Sequence, residues 1–203
     1  MTINPVAAVP TPAVGASTST TGGGSGARLA RRVLLALAIV ALLFVGAYAL
    51  AWYRASQLAT RFMADADSSY SAAKYIEALT GYETFDQATN SYVTHGGYMK
   101  VARIWSDPQA WPRPANAAQA EARIAEILDQ KLTIEEAEGF IQANIGKANP
   151  YMGVIYLRLG ELYEQEGDAE SAKTIYSEVP ALFPAEAELI AKAEAHLAVL
   201  DSR

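Results

Sequence analysis

The chain has no cysteine and only two histidines, His95 and His196, in 203 residues. The missing thiols exclude disulfides, thiolate metal sites, iron–sulfur clusters, covalently attached haem and cysteine nucleophiles. Two histidines leave little for metal binding or proton transfer. Catalytic templates are missing as well: there is no glycine-rich phosphate loop beside a strand, no serine elbow and no His-x-x-x-His pair. Acidic residues are absent from the first 54 positions, and no long stretch alternates with the period of two that a half-buried strand needs. Aromatic residues make up only 9% of a chain that is 51% hydrophobic, a high apolar share that points to a concentrated segment.

That segment is Val33 to Tyr53, where VLLALAIVALLFVGAYALAWY runs for 21 residues without a charge. At ~1.5 Å per residue it makes about 31 Å of helix, the thickness of a bilayer core. A buried core helix rarely stays apolar on every face for that length, so the segment reads as one transmembrane helix. A secretory signal shares the order of a basic segment and then an apolar one, and Ala47-Tyr48-Ala49 and Ala49-Leu50-Ala51 both fit a small-x-small cleavage pattern. Signal peptides have apolar regions of roughly 7 to 15 residues, whereas this run is longer and stands well inside the chain, which favours an uncleaved anchor.

Arg28, Arg31 and Arg32 precede the span, Arg54 and Arg61 follow it more sparsely, and basic flanks favour the cytoplasmic side. The expected topology is a single pass through the cell membrane, with the N-terminus cytoplasmic, 28–54 as the anchor with its basic flank, and 55–203 extracytoplasmic. Arg31, Arg32, Tyr48, Trp52 and Tyr53 are the expected membrane-interface residues, since rings with a polar edge suit the headgroup layer. Gly46, Ala47 and Ala51 also make one segment of the span small enough for close helix contact. All 22 acidic residues and 12 of the 16 basic ones lie beyond Arg54, a net −10 for residues 55–203. A domain of that sign is a poor partner for nucleic acid or anionic lipid.

Residues 1–27 carry Pro5, Pro10, Pro12, a Ser17–Thr21 run and Gly22-Gly23-Gly24, with almost no bulky apolar side chain, and predict a disordered cytoplasmic tail. Beyond the span the apolar positions recur at three and four residue intervals, which predicts an all-α domain. Ala55–Tyr70 should continue the membrane helix, and Lys74–Val93 reads as a second helix with Tyr75, Leu79, Tyr82 and Phe85 near one face. Asn116 is placed to cap the helix that follows it, Thr133 with Glu136 forms a capping box, Gly146 suits that helix's end, and Asn149-Pro150 marks another start. Gly167-Asp168 breaks the pattern, Pro180 and Pro184 bracket the next end, and Ala185–Leu200 reads as a last amphipathic helix. Ser106–Pro114 has three prolines in nine residues and must be a turn or an extended connector. Trp105 and Trp111 flank or sit in this loop, either packed on the helices beneath or forming an aromatic patch that faces a partner.

The string NPYMGVIYLRLGELYEQEGDAESAKTIYSEVPALFP, from Asn149 to Pro184, resembles a tetratricopeptide repeat. Tyr156, Leu159, Gly160 and Tyr163 match the first helix of such a repeat, Gly167-Asp168 its turn, and Ala172, Tyr176 and Pro184 its second helix and terminator. Val179 stands where a small residue is more usual. The spacing has a physical sense of its own, because Gly160 and Ala172 lie across a hairpin turn where small side chains let two helices approach. Residues 117–145 and 62–90 read as degenerate flanking units, since roughly three stacked units are needed for stability. The resemblance implies a single membrane helix followed by a helical-hairpin solenoid with a partner groove. Carried onto this sequence, that groove would present Val154, Leu157, Glu161, Glu164 and Gln165, an apolar strip edged by acid. Repeats that grip a free terminal carboxylate use lysines and asparagines at such places, so a basic or amphipathic helix is the better ligand.

The carboxylates offer little chemistry: Glu135, Glu136 and Glu138 suit the first turns of a helix, and Glu161 to Glu170 a solvated face and turn. The sequence therefore predicts a non-catalytic protein without cofactor, metal or small-molecule substrate, whose partners are the membrane and other protein subunits. A bacterial membrane-anchored scaffold or accessory subunit is the first reading. A tethered extracytoplasmic chaperone-like module associated with secretion is another, and a supernumerary subunit of a respiratory or photosynthetic electron-transfer complex a third. The plan of one N-terminal span and an exported repeat domain is similar to that of ancillary proteins of the bacterial secretion channel.

Overall fold

From Ala27 to Ser71 the chain has one glycine, Gly46, and no proline, and nothing interrupts a helix there. In the structure, a computed structural model that describes residues 23–202, this stretch belongs to one helix, α1 (Gly23–Ser71). The tail expected over residues 1–27 lies outside the described residues up to position 22, and its last five positions are already helical backbone. The chain divides into two compact units, up to Ala49 and from Leu50 onward. In the first unit Leu34, Leu42 and Phe44 are 67%, 75% and 76% exposed. The helix is long and apolar enough to cross a membrane, and none of its most apolar window is buried, unlike the core helix of a soluble protein.

The second unit begins with the last turn of apolar sequence, from Leu50 to Tyr53, and the amphipathic end of α1. Ala59 and Ala66 are fully buried there, packed with α2 (Tyr75–Thr80), α3 (Tyr98–Ile104) and α4 (Ala115–Gln130). Tyr98 hydroxyl donates to Asp67 at 2.6 Å, Tyr70 hydroxyl donates to Glu126 at 2.5 Å, and the Arg123 guanidinium lies 4.6 Å from the Tyr70 ring centre. The Tyr70 hydroxyl and Arg123 both hold the Glu126 carboxyl below its ordinary range. The chain returns to α1 through Gly96-Gly97, which slip between the backbone of Phe62 and the end of α2.

One expectation fails here. Instead of a helix over Lys74–Val93, α2 stops at Thr80 and a hairpin follows, β1 (Glu83–Asp86) paired antiparallel with β2 (Ser91–Thr94). Gly81 turns the chain at φ +74, and Asn90 takes φ +48, a left-handed angle that asparagine tolerates better than most residues. Asp86 accepts the Ala88 amide and the Thr89 hydroxyl, both at 2.9 Å, and these bonds close the turn. Phe85 and Tyr92 face each other across the ladder with ring centres 5.2 Å apart. Residues 62–90 are therefore not a repeat unit. Apart from this hairpin, the described residues are all-α, with eight helices.

The C-terminal half follows the signals more closely. The Thr133 hydroxyl accepts the Glu136 amide, and the Glu136 carboxylate accepts the Thr133 amide, which starts α5 (Ile134–Asn144) as a capping box. Gly146 lies just past its end at φ +74. Asn149 caps the turn into α6 (Met152–Glu166), its Oδ1 accepting the Tyr151 amide at 2.9 Å, and Pro150 stays in that turn rather than opening the helix. Gly167 ends α6 in the left-handed region, Asp168 caps α7 (Ala169–Leu182), and α8 (Ala187–Asp201) closes the chain. Pro180 sits inside the last turn of α7, and the helix ends at Leu182, between Pro180 and Pro184. Asn116 is not a cap. Pro114 holds that position, and the Asn116 Oδ1 is buried without a partner. The 117–145 hairpin is also corrected: α4 packs against α3, while α5 packs against α6.

Candidate functional site

The most extensive helix–helix contact in the second unit lies between α6 and α7. Gly160 lets them meet, because a Cβ there would stand 2.5 Å from Cε1 of Tyr176, whose side chain is fully buried. Ala172, at 0% exposure, lies in the same core with Leu157, Leu189 and Ala193. Of the residues expected to pack the hairpin, Gly160, Ala172 and Tyr176 do so, and Pro184 follows the end of α7.

Tyr156 and Leu159 are also buried in the core, Tyr156 beside Ala172 and Tyr176, and Tyr163 packs against them; these three have a second role. With Met152 they make the floor of a cleft of about 650 Å³ that is walled by α5 on one side and α7 on the other. Ile141, Gln142 and Ile145 line the α5 wall, and Ile175, Leu182 and Phe183 the α7 wall. Ile145 is 63% exposed and Leu182 53% exposed, so the apolar lining continues onto both rims. The floor is braced by its own tyrosines: the Tyr163 hydroxyl donates to Glu138 on α5, and the Tyr156 hydroxyl donates to Glu178 on α7. Tyr156 also meets Phe183 with ring centres 5.7 Å apart. The result is a preformed apolar cleft with one carboxylate, Glu138, in its α5 wall.

The groove expected on Val154, Leu157, Glu161, Glu164 and Gln165 does not form. Leu157 is only 6% exposed and belongs to the core beneath α7 and α8. Glu161 accepts from Arg158 at 2.7 Å, and Glu164 lies 2.9 Å from Nδ1 of His196, whose ring stacks on Tyr176. The Tyr176 hydroxyl also donates to Glu164, at 3.3 Å. Helix α8 thus occupies the side of α6 where a partner was expected, and only Val154 and Gln165 remain exposed. Arg158 itself is buried, donating through Nη2 to the Asp129 carbonyl at 3.2 Å and so tying α6 to the end of α4.

The two loop tryptophans separate. Trp105 is 1% exposed in the core with α1 and α4, so it is no surface contact, whereas Trp111 is 75% exposed. At the end of the apolar run Tyr53 is 58% exposed, while Trp52 is half-buried against the core. Tyr48 is 47% exposed, and Arg31 and Arg32 are exposed. Among the described residues no group of three His, Asp or Glu side chains could hold a metal.

The floor tyrosines have a consequence for pH. The Glu138 bond, followed by desolvation, pushes the Tyr163 phenol up to about 12. Burial first and then the Glu178 bond raise Tyr156, and burial and the Glu164 charge raise Tyr176. A raised phenol stabilises the fold fully below the unfolded value of about 10 and loses that contribution as pH climbs through the folded value. The denaturation midpoint of the chain is therefore expected to hold constant up to pH of about 10 and to fall between about 10 and 12, with Tyr163→Phe flattening that fall. A midpoint still unchanged at pH 12 in the parent chain contradicts these bonds.

No protein-family model matches the sequence, and comparison with curated proteins and with solved structures returned no match.

Proposed function

We propose that this chain is a non-catalytic, membrane-anchored protein-interaction subunit of a larger membrane complex, with a domain built on a tetratricopeptide-like hairpin. The packing of Gly160 on Tyr176, the left-handed Gly167 and the Asp168 cap support that likeness for α6 and α7. The exposed apolar helix supports the anchor, and the arginines at 28, 31 and 32 support a cytoplasmic N-terminus with the helical domain outside. The observation that carries the reading is the cleft between α5 and α7, apolar on floor and walls except for Glu138 in the α5 wall. In a domain of net −10 its fitting occupant is an amphipathic helix with a basic edge, supplied by another subunit. Nucleic acid and small-molecule substrates have no part in this reading.

Purification of the full chain in mild detergent tests it. A complex of fixed stoichiometry is expected, and Leu182→Lys or Ile145→Lys should weaken it by at least about tenfold, on the order of 1.4 kcal/mol, through lost apolar contact and repulsion of a basic partner. Both side chains are more than half exposed, so the variants should keep the parent's helical signal. A complex indifferent to both lysines removes the cleft from the proposal. Varied clients in less than stoichiometric amounts replace the subunit with a tethered chaperone.

A further inference from the structure

We propose that the loop from Ser106 to Pro114 is a second membrane contact, with Trp111 seated in the lipid headgroup layer beside the end of the span. The proposal rests on reading α1 as a transmembrane helix. The apolar run closes at Tyr53, and Arg54 is the first charge after it, so residues 52–54 stand where hydrocarbon gives way to headgroups. Trp52 donates from Nε1 to the Pro112 carbonyl at 3.0 Å, and its ring lies 5.9 Å from that of Trp105. These contacts hold Pro112, and with it Trp111, at the depth of Trp52.

The loop is pinned on its protein side. Arg113 donates through Nε to the Trp105 carbonyl and through Nη2 to Glu121, both at 3.1 Å. The Asp107 carboxylate, the loop's one acidic group, accepts the Gln109 amide at 2.8 Å. Against this fixed frame Trp111 is 75% exposed, and Tyr53, at the end of the apolar run, is 58% exposed. The exposed part of a large indole is better placed in the headgroup layer than in water. Because the domain as a whole is acidic, the fitting surface is zwitterionic lipid reached through rings, not an anionic surface reached through charge.

The absence of cysteine makes the test direct. Tyr53→Cys, Trp111→Cys and Gln165→Cys each supply a single thiol for a bimane label, in full chain reconstituted into phosphatidylcholine vesicles. Quenching is read with brominated phosphatidylcholine and with aqueous iodide. Labels at 53 and 111 are expected to be quenched by brominated lipid at least about twofold more than the label at 165, with iodide giving the reverse order. In the unlabelled chain, Trp111→Phe should lower the tryptophan emission that brominated lipid quenches, with half-buried Trp52 at the same depth supplying the remainder and Trp105, 1% exposed, little. Lipid quenching at 53 with iodide quenching at 111 overturns the loop contact and leaves the span standing. Iodide quenching at 53 overturns both. A label at 111 shielded from both quenchers puts protein there instead of lipid and also overturns the proposal.

Discussion

Replacing Gly96 with alanine is expected to cost the domain at least about 3 kcal/mol and to lower its melting temperature by roughly 10 °C. A Cβ built on Gly96 falls 2.1 Å from Cα and 2.5 Å from the carbonyl oxygen of Phe62, so the obstacle is helix backbone and not a side chain that can turn away. The helix cannot retreat, because Ala59 and Ala66 on the same stretch of α1 are fully buried. Moving the loop instead stretches the bond from the Gly96 amide to Asp65, now 2.8 Å, and hydrogen bonds to charged groups contribute about 1.5 to 3 kcal/mol. It also presses Gly97 onto the end of α2, where a Cβ would already meet the Leu79 carbonyl at 2.6 Å. Gly139→Ala is the matched control: nothing lies within 4 Å of its Cβ position inside α5, and the change should stabilise by about 0.5 to 1 kcal/mol. Thermal melts of the full chain in detergent, followed by circular dichroism, read both. If Gly96→Ala melts within about 2 °C of the parent, the close passage of the loop over α1 is wrong.

Gly96-Gly97 also marks the limit of what the sequence can tell. A glycine pair reads as a loop, and it is one, but only the three-dimensional path shows that the pair is small because two helices press on it. Signals that act within a few residues were legible: the Thr133–Glu136 box, the Asp168 cap, the left-handed Gly167 and the proline-rich connector all stand where local chemistry puts them. The hairpin was missed because Tyr75, Leu79, Tyr82 and Phe85 happen to keep helical spacing. The competing signal was present in Gly81, in the strand-prone Thr84, Phe85, Tyr92 and Val93, and in Asn90 at the turn. Asn116 lost its cap because Pro114 was free to hold that position with no amide to satisfy.

The candidate site was legible as a helix pair and illegible as a surface. Spacing brought Gly160 to Tyr176, but which face of α6 stays open depends on where α8 and α5 come to rest. Helix α8 brings His196 to Glu164 and covers the face of Leu157; α5 stands off across the cleft, leaving Tyr156, Leu159 and Tyr163 as floor. Residues read as interhelical filler thus line the opening, and residues read as groove are held by their own chain. Ile145 and Leu182 could have been found as apolar residues at helix ends, where the packed stripe has already stopped.

Trp105→Ala should be nearly as damaging as the glycine change, at about 3 to 5 kcal/mol, because it empties the site of the largest fully buried side chain. Trp105→Phe should cost far less, below about 1.5 kcal/mol, despite removing the same indole. The reason is that the Trp105 Nε1 is buried with no hydrogen-bond partner, so the phenyl ring gives up some volume but also removes an unsatisfied donor worth about 1 to 3 kcal/mol of desolvation. The pair of variants separates packing from polarity at one position, and chemical denaturation measures both. A second readout links this core to the loop above it. Trp105 backs Trp52, and Trp52 holds Pro112, so alanine should free the loop while phenylalanine keeps it. The amides of Ala110 and Trp111, bonded at 2.9 and 2.8 Å to Asp107 and Gln109, are then expected to exchange with solvent about tenfold faster in Trp105→Ala alone. Equal damage from both variants means that the indole N–H is satisfied after all; unchanged exchange in the alanine variant means that the loop is held by Arg113 without help from the stacked rings.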